Sequence, residues 1–65
     1  MKRLVMARES KGWTQTELAR RAKLAPATVS RIEAGKIYPG GNTVKALARA
    51  LRVSVGWLLE EKEVS

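Results

Sequence analysis

Thr14-Gln15-Thr16-Glu17-Leu18-Ala19-Arg20-Arg21-Ala22, then Lys23-Leu24-Ala25, then Pro26-Ala27-Thr28-Val29-Ser30-Arg31-Ile32-Glu33-Ala34-Gly35: the fold turns on this stretch. Thr14 to Glu17 has the spacing of a capping box. The Thr14 hydroxyl can accept from the Glu17 N–H, and the Glu17 carboxylate can reach back to the Thr14 N–H. Trp13 before the cap and Leu18 at the fourth helical position fit a hydrophobic staple. These signals start a helix over 15–22 whose Leu18, Ala19 and Ala22 share one face. Ala19 is small, which lets another helix approach closely. After the short Lys23-Leu24-Ala25 connection, Pro26 suits a first helical position, where its missing N–H costs nothing. Val29 and Ile32 continue an inward face, and Gly35 stops a helix over 26–34. Two helices of about two turns, joined by three or four residues, have the dimension of a helix-turn-helix unit.

Upstream, Leu4, Ala7 and Val5 give a helix over 2–11 its apolar side, with Gly12 just past the end. Downstream, Lys36-Ile37-Tyr38-Pro39-Gly40-Gly41 reads as a loop, and its Gly pair is too short for a phosphate-binding fingerprint. Asn42 or Thr43 is expected to cap a fourth helix running to Leu51, with Val44, Leu47, Ala48 and Leu51 inward. Ser54 is expected to cap a fifth, containing Val55, Trp57, Leu58 and Leu59, with Val53 and Leu58 as a second staple. The tail Glu60-Glu61-Lys62-Glu63 is polar, and residues 61–65 are expected to fray. With no repeat, strand alternation or linker, residues 1–65 read as one compact, all-α, five-helix domain.

Composition narrows the chemistry. The 65 residues carry 13 Lys and Arg against 6 acids, all Glu, for a net charge of +7, with no Cys and no His. Disulfides, zinc fingers and thiol chemistry are excluded. The commonest metal ligand and the commonest general base at neutral pH are missing too. A Ser or Thr nucleophile would have no His, and the Glu residues form no evident pair, so an enzyme is not expected, nor a cofactor or metal. No signal peptide or membrane span is visible, which favours the cytoplasm. Residues 1–36 hold nine Lys and Arg against three Glu, and residues 37–65 hold four against three. A polyanion should therefore meet the first half, with nucleic acid as first candidate and an anionic membrane as second. The basic residues are spread over several short helices, which disfavours the membrane.

The residues Thr14-Gln15, Glu17-Leu18-Ala19, Val29-Ser30-Arg31-Ile32-Glu33 and Gly35-Lys36 resemble the Xre/Cro-type helix-turn-helix family of phage and bacterial repressors. Leu47-Ala48, Leu51 to Val55 and Trp57-Leu58-Leu59 resemble that family's last two helices. The resemblance covers residues 3–60 or so. It implies a lambda-repressor-like five-helix domain that binds duplex DNA, usually as a dimer. Two positions depart from the pattern. The family usually has Gly where this chain has Lys23, and a left-handed Lys costs roughly 1 kcal/mol or more. It often has Ser or Thr where this chain has Ala25, and loss of that cap costs about 1 kcal/mol.

The resemblance also assigns roles. The helix 26–34 is expected in the major groove, with Pro26, Ala27, Thr28, Ser30 and Arg31 outward. Arg31 can pair with guanine O6 and N7, while Pro26 and Ala27 can only read shape or touch a thymine methyl. Ser30 can instead bond back to its own helix. Gln15, helped by the positive helix terminus, is expected on a phosphate, with Thr16 beside it. Lys36, with the N–H groups of Tyr38, Gly40 and Gly41, resembles a second phosphate clamp. Arg8 and Glu33 sit where the family has an ion pair joining the first and third helices. Arg20 and Arg21 lie on the outer side of the second helix, and Trp13 belongs to the core. Val55, Trp57 and Leu58 exceed what one buried face needs and suggest a two-fold dimer, although Trp57 can equally close the core. The resulting expectation is a sequence-specific regulator, a repressor on a pseudo-palindromic operator. The alternative is a protein-interaction module, such as an antitoxin or anti-repressor partner, on the same fold.

Overall fold

The computed structural model describes residues 1–60. Five helices follow one another: α1 (Lys2–Ser10), α2 (Gln15–Ala22), α3 (Pro26–Glu33), α4 (Gly41–Leu51) and α5 (Val55–Leu59). No strand occurs among the described residues, so the all-α expectation holds. The expected fraying of residues 61–65 lies outside them. No helix among the described residues is long and apolar enough to cross a membrane.

Every helix gives its apolar face to one core. Leu4, Leu18, Val29, Ile32, Leu47, Leu51 and Leu58 are its largest fully buried side chains, and Ala7, Ala19, Ala22, Val44 and Ala48 fill between them. α2 is the hub, packed on both α3 and α4, while α5 joins α1 to α4. Ala19 is completely buried there. A residue with no atoms beyond Cβ leaves room for neighbouring helices at short range. Trp13 packs half-buried against the edge of this core.

The local signals at 14–35 are realised with one change. Thr14 Oγ1 accepts from the Glu17 N–H at 3.0 Å, the first half of the capping box. The Glu17 carboxylate does not make the return bond. It is taken by Arg20 and Arg21, each at 2.6 Å, because two guanidinium groups one turn ahead outcompete a single amide. α3 begins at Pro26 behind Ala25, which supplies no side-chain cap.

Helices α1 to α4 all end in the same way. The N–H groups of Trp13, Leu24, Lys36 and Val53 each reach back five residues, to the carbonyls of Arg8, Ala19, Arg31 and Ala48. The residue before each of them is left-handed: Gly12, Lys23, Gly35 and Arg52. This is the Schellman turn, which satisfies the last carbonyls of a helix. The left-handed backbone at Lys23 (φ 60°) is the one its position in the motif demanded. Arg52 (φ 59°) is a second non-glycine residue in this conformation, with no motif around it to announce it.

The start of α4 corrects an expectation. Neither Asn42 nor Thr43 caps it; the cap residue is Gly40, with φ −70° and ψ 172°, and no side chain bonds to the helix start. Pro39 is buried just before it, and the cap falls two or three residues earlier than Asn42 or Thr43. Ser54 caps α5 as expected, its Oγ accepting from the Trp57 N–H at 3.0 Å.

Candidate nucleic-acid interface

Val29 and Ile32 bury one face of α3, and the helix period then sets the other face toward solvent. Pro26, Ala27, Ser30 and Arg31 are exposed and Thr28 is half-buried. Arg31 and Ser30 have no side-chain partner among the described residues, so Ser30 does not bond back to its own helix. Their donors remain open to a ligand.

A single carboxylate fixes how α3 sits. Arg8 Nε donates to Glu33 Oε2 at 2.7 Å and Arg8 Nη2 donates to Oε1 at 3.2 Å, a fork-to-fork pair. Arg8 Nη1 donates to the Trp13 carbonyl at 2.7 Å. The two side chains are only 13% and 5% exposed. The bond to Glu33 leads the effects that raise the Arg8 pKa above its ordinary value, against the opposing cost of burial. The ion pair that the family pattern implied is therefore present, and it ties α1, the α1–α2 turn and α3 together.

Gln15 joins this group. Its Nε2 donates to Glu33 Oε1 at 2.8 Å. The expected partner of this amide is a phosphate. One of its hydrogens is instead committed to Glu33, which leaves the second hydrogen, the amide oxygen and the backbone N–H at the start of α2. No pattern in the chain announces this bond, because the two residues are 18 positions apart and both have other uses. Thr16 is exposed beside Gln15.

The loop after α3 forms the second flank. Lys36 and Tyr38 are exposed, Tyr38 at 74%. The Lys36 N–H is used in the Schellman turn. The N–H groups of Tyr38, Gly40 and Gly41 have no backbone acceptor among the described residues. They stand at the positive end of α4, where an anion is favoured.

Several charges elsewhere are already engaged. Arg20 and Arg21 grip Glu17 and hold its carboxyl pKa at about 2, below the ordinary 4.5. Arg21 also lies 4.2 Å over the Trp13 ring, with Lys11 at 5.5 Å from the same ring. At the far end, Arg3 Nη1 donates to the Trp57 carbonyl at 3.1 Å and to Glu60 Oε1 at 3.0 Å. Its guanidinium stands 5.0 Å from the Trp57 ring. Of the three candidate pairing residues, Val55 and Trp57 are half-buried, but Leu58 is fully buried in the protomer core. Leu58 points inward because α5 has a single turn against α1 and α4, and it offers no surface to a second subunit.

No curated protein and no solved structure shows a significant match to this chain. A family model described as helix-turn-helix matches residues 4–58, nearly the whole sequence. The matched span contains α2, α3, the Arg8–Glu33 tie and the solvent-facing side of α3, and the chain belongs to the Xre/Cro-type helix-turn-helix family of DNA-binding regulators.

Proposed function

We propose that the protein is a repressor that binds a pseudo-palindromic operator as a two-fold dimer, in the cytoplasm, with α3 in the major groove. The observation that carries this reading is the outward face of α3, whose Arg31 guanidinium has no partner within the described protein. The tie through Glu33 holds the rod that presents it. Arg31 pairs with guanine O6 and N7. Thr28, Ser30 and the Gln15 amide supply the remaining polar contacts, and Pro26 and Ala27 sense shape or a thymine methyl. The start of α2, with Gln15 and Thr16, holds one phosphate. Lys36, Tyr38 and the open N–H groups before α4 hold another. The dimer forms around Val55 and Trp57.

Selection of duplex sites in vitro with the purified protein tests this. The expected product is a two-fold symmetric motif, bound with a steep loss of affinity as salt rises, because several phosphates release counterions. Arg31→Ala should then reduce the preference for the selected site over random duplex by about tenfold or more. An equal loss on both sequences would make Arg31 a phosphate contact and refute its reading role.

A further inference from the structure

Set back from that face, α2 and α4 enclose an open groove of about 510 Å3. One wall carries Arg20, Arg21 and Lys23, and the other carries Arg49. The floor is Ala22, Ala46 and Ala50. No acid lines it, and neither do the outward residues of α3 or the loop between α3 and α4. The groove begins five residues past Gln15 along α2 and five past Gly41 along α4. At 1.5 Å per residue that places it about 8 Å behind the two helix starts that present N–H groups to anions.

We propose that this groove receives an acidic, amphipathic helix of a protein partner. Charge selects the sign of the occupant. Four cations line it, two of them, Arg20 and Arg21, paired with Glu17. Lys23 and Arg49 have no acidic partner among the described residues. Guanidinium groups pair with carboxylates through two parallel bonds, which suits Glu side chains one turn apart on a helix. Shape and floor select the class. A trench between two helices accommodates a third, and the part-exposed methyl groups of Ala46 and Ala50 allow close approach of its backbone. That floor holds no hydrogen-bond donor, so it rewards an apolar stripe, which a sugar–phosphate strand does not present. The proposal goes beyond DNA binding: it makes the domain a two-sided adaptor, with duplex on α3 and an acidic partner on α2 and α4.

The test uses a fluorescein-labelled peptide of about 16 residues, built from Glu, Ala and Leu in helical register, enough for four turns. Its binding to the full chain is followed by anisotropy at about 0.15 M salt, where distant charges are screened. Arg49→Glu alters the groove. Lys2→Glu changes net charge equally, on exposed α1 surface outside it. Arg49→Glu should weaken peptide binding by about tenfold or more, and Lys2→Glu by less than about twofold. Both variants should bind the selected duplex alike, and circular dichroism should show both folded. Equal loss of peptide binding in the two variants would reduce the effect to net charge and overturn the proposal. So would absence of peptide binding to the unmodified chain. Loss of duplex binding confined to Arg49→Glu would assign the groove to phosphate and overturn it as well. Failure to select a duplex site, with peptide binding intact, would instead strike the repressor reading alone.

Discussion

Glu33 serves three donors with two oxygens, while the other acid beside Arg8, Glu9, stands 3.9 Å away on the exposed side. Deleting either member of the pair strands the other where water barely reaches. Arg8→Ala or Glu33→Ala should therefore cost about 3 kcal/mol. A domain of this size has a total stability of only about 3–10 kcal/mol, so urea titration should show the variants close to unfolded at room temperature. The double variant Arg8→Met with Glu33→Met should recover much of the loss, because no charge is left buried. A double variant as unstable as the sum of its singles would contradict that account. The left-handed positions give the opposite sign. Arg52 adopts φ 59° without glycine's freedom, so Arg52→Gly should raise stability, by at most about 1 kcal/mol after the gain in unfolded-state entropy is subtracted. Ala25→Ser should add about 1 kcal/mol by capping α3. Each should raise the melting temperature by a few degrees, as thermal unfolding will show. The cost at Ala25 and the strain at Lys23 were legible in the sequence, because a motif with a required backbone stood around them. The Gln15–Glu33 bond was not: sequence spacing sets where an amide stands, not which of two partners it turns to.

Helix limits show where local signals suffice. α2 begins where Thr14 and Trp13 said it would and α3 begins at Pro26, because caps and a first-turn proline act within one turn of backbone. The onset of α4 escaped because its cap, Gly40, has no side chain and the burial of Pro39 is a tertiary fact. The capping box failed in its second half for a reason inside α2 itself. Glu17 has Arg20 and Arg21 within reach at three and four residues, and the hydrogen bond from Arg20 is the largest cause of its lowered pKa. That shift makes α2 sensitive to acid. Glu17 binds its proton at about 2 in the folded chain and at about 4.5 when unfolded. Its contribution is thus complete above about pH 4.5 and is lost as pH falls toward 2. Stability of the wild-type chain should decline across that window, and Glu17→Gln should flatten part of the decline. Chemical denaturation at a series of pH values will measure both slopes, and identical slopes would mean that the two arginines do not hold the carboxylate in solution.

Charge and shape together set what the whole domain can meet. The excess of cations in the first 36 residues was legible as an attraction to polyanions, and the fold sets Arg31 on the outer side of α3 and Arg20, Arg21 and Lys23 along the groove on α2 and α4. An apolar excess in α5 suggests pairing of subunits, and the structure reduces that excess: Leu58 belongs to the core, and Arg3 stacks on the Trp57 ring. What is left for a partner copy, Val55 and the rest of Trp57, is small. In the proposed dimer, such a surface is expected to give weak association in solution that becomes effective when two half-sites hold the subunits side by side. The spacing of the half-sites then carries the evidence. Two recognition helices related by a two-fold axis reach successive major grooves on one side of the duplex about 34 Å, or one turn, apart. Inserting about 5 base pairs between half-sites turns the second subunit to the opposite side, while about 10 base pairs restores its phase but stretches the contact. Occupancy of the unaltered operator should be cooperative, and either insertion should remove the cooperativity while leaving single half-site affinity in place. Val55→Glu should do the same on the unaltered operator, since it repels its own copy across the axis without touching α3. Gel-shift titrations of the three duplexes with both proteins would show it. Cooperative binding that survives both insertions and Val55→Glu would mean that the subunits communicate through the DNA and would refute pairing through α5.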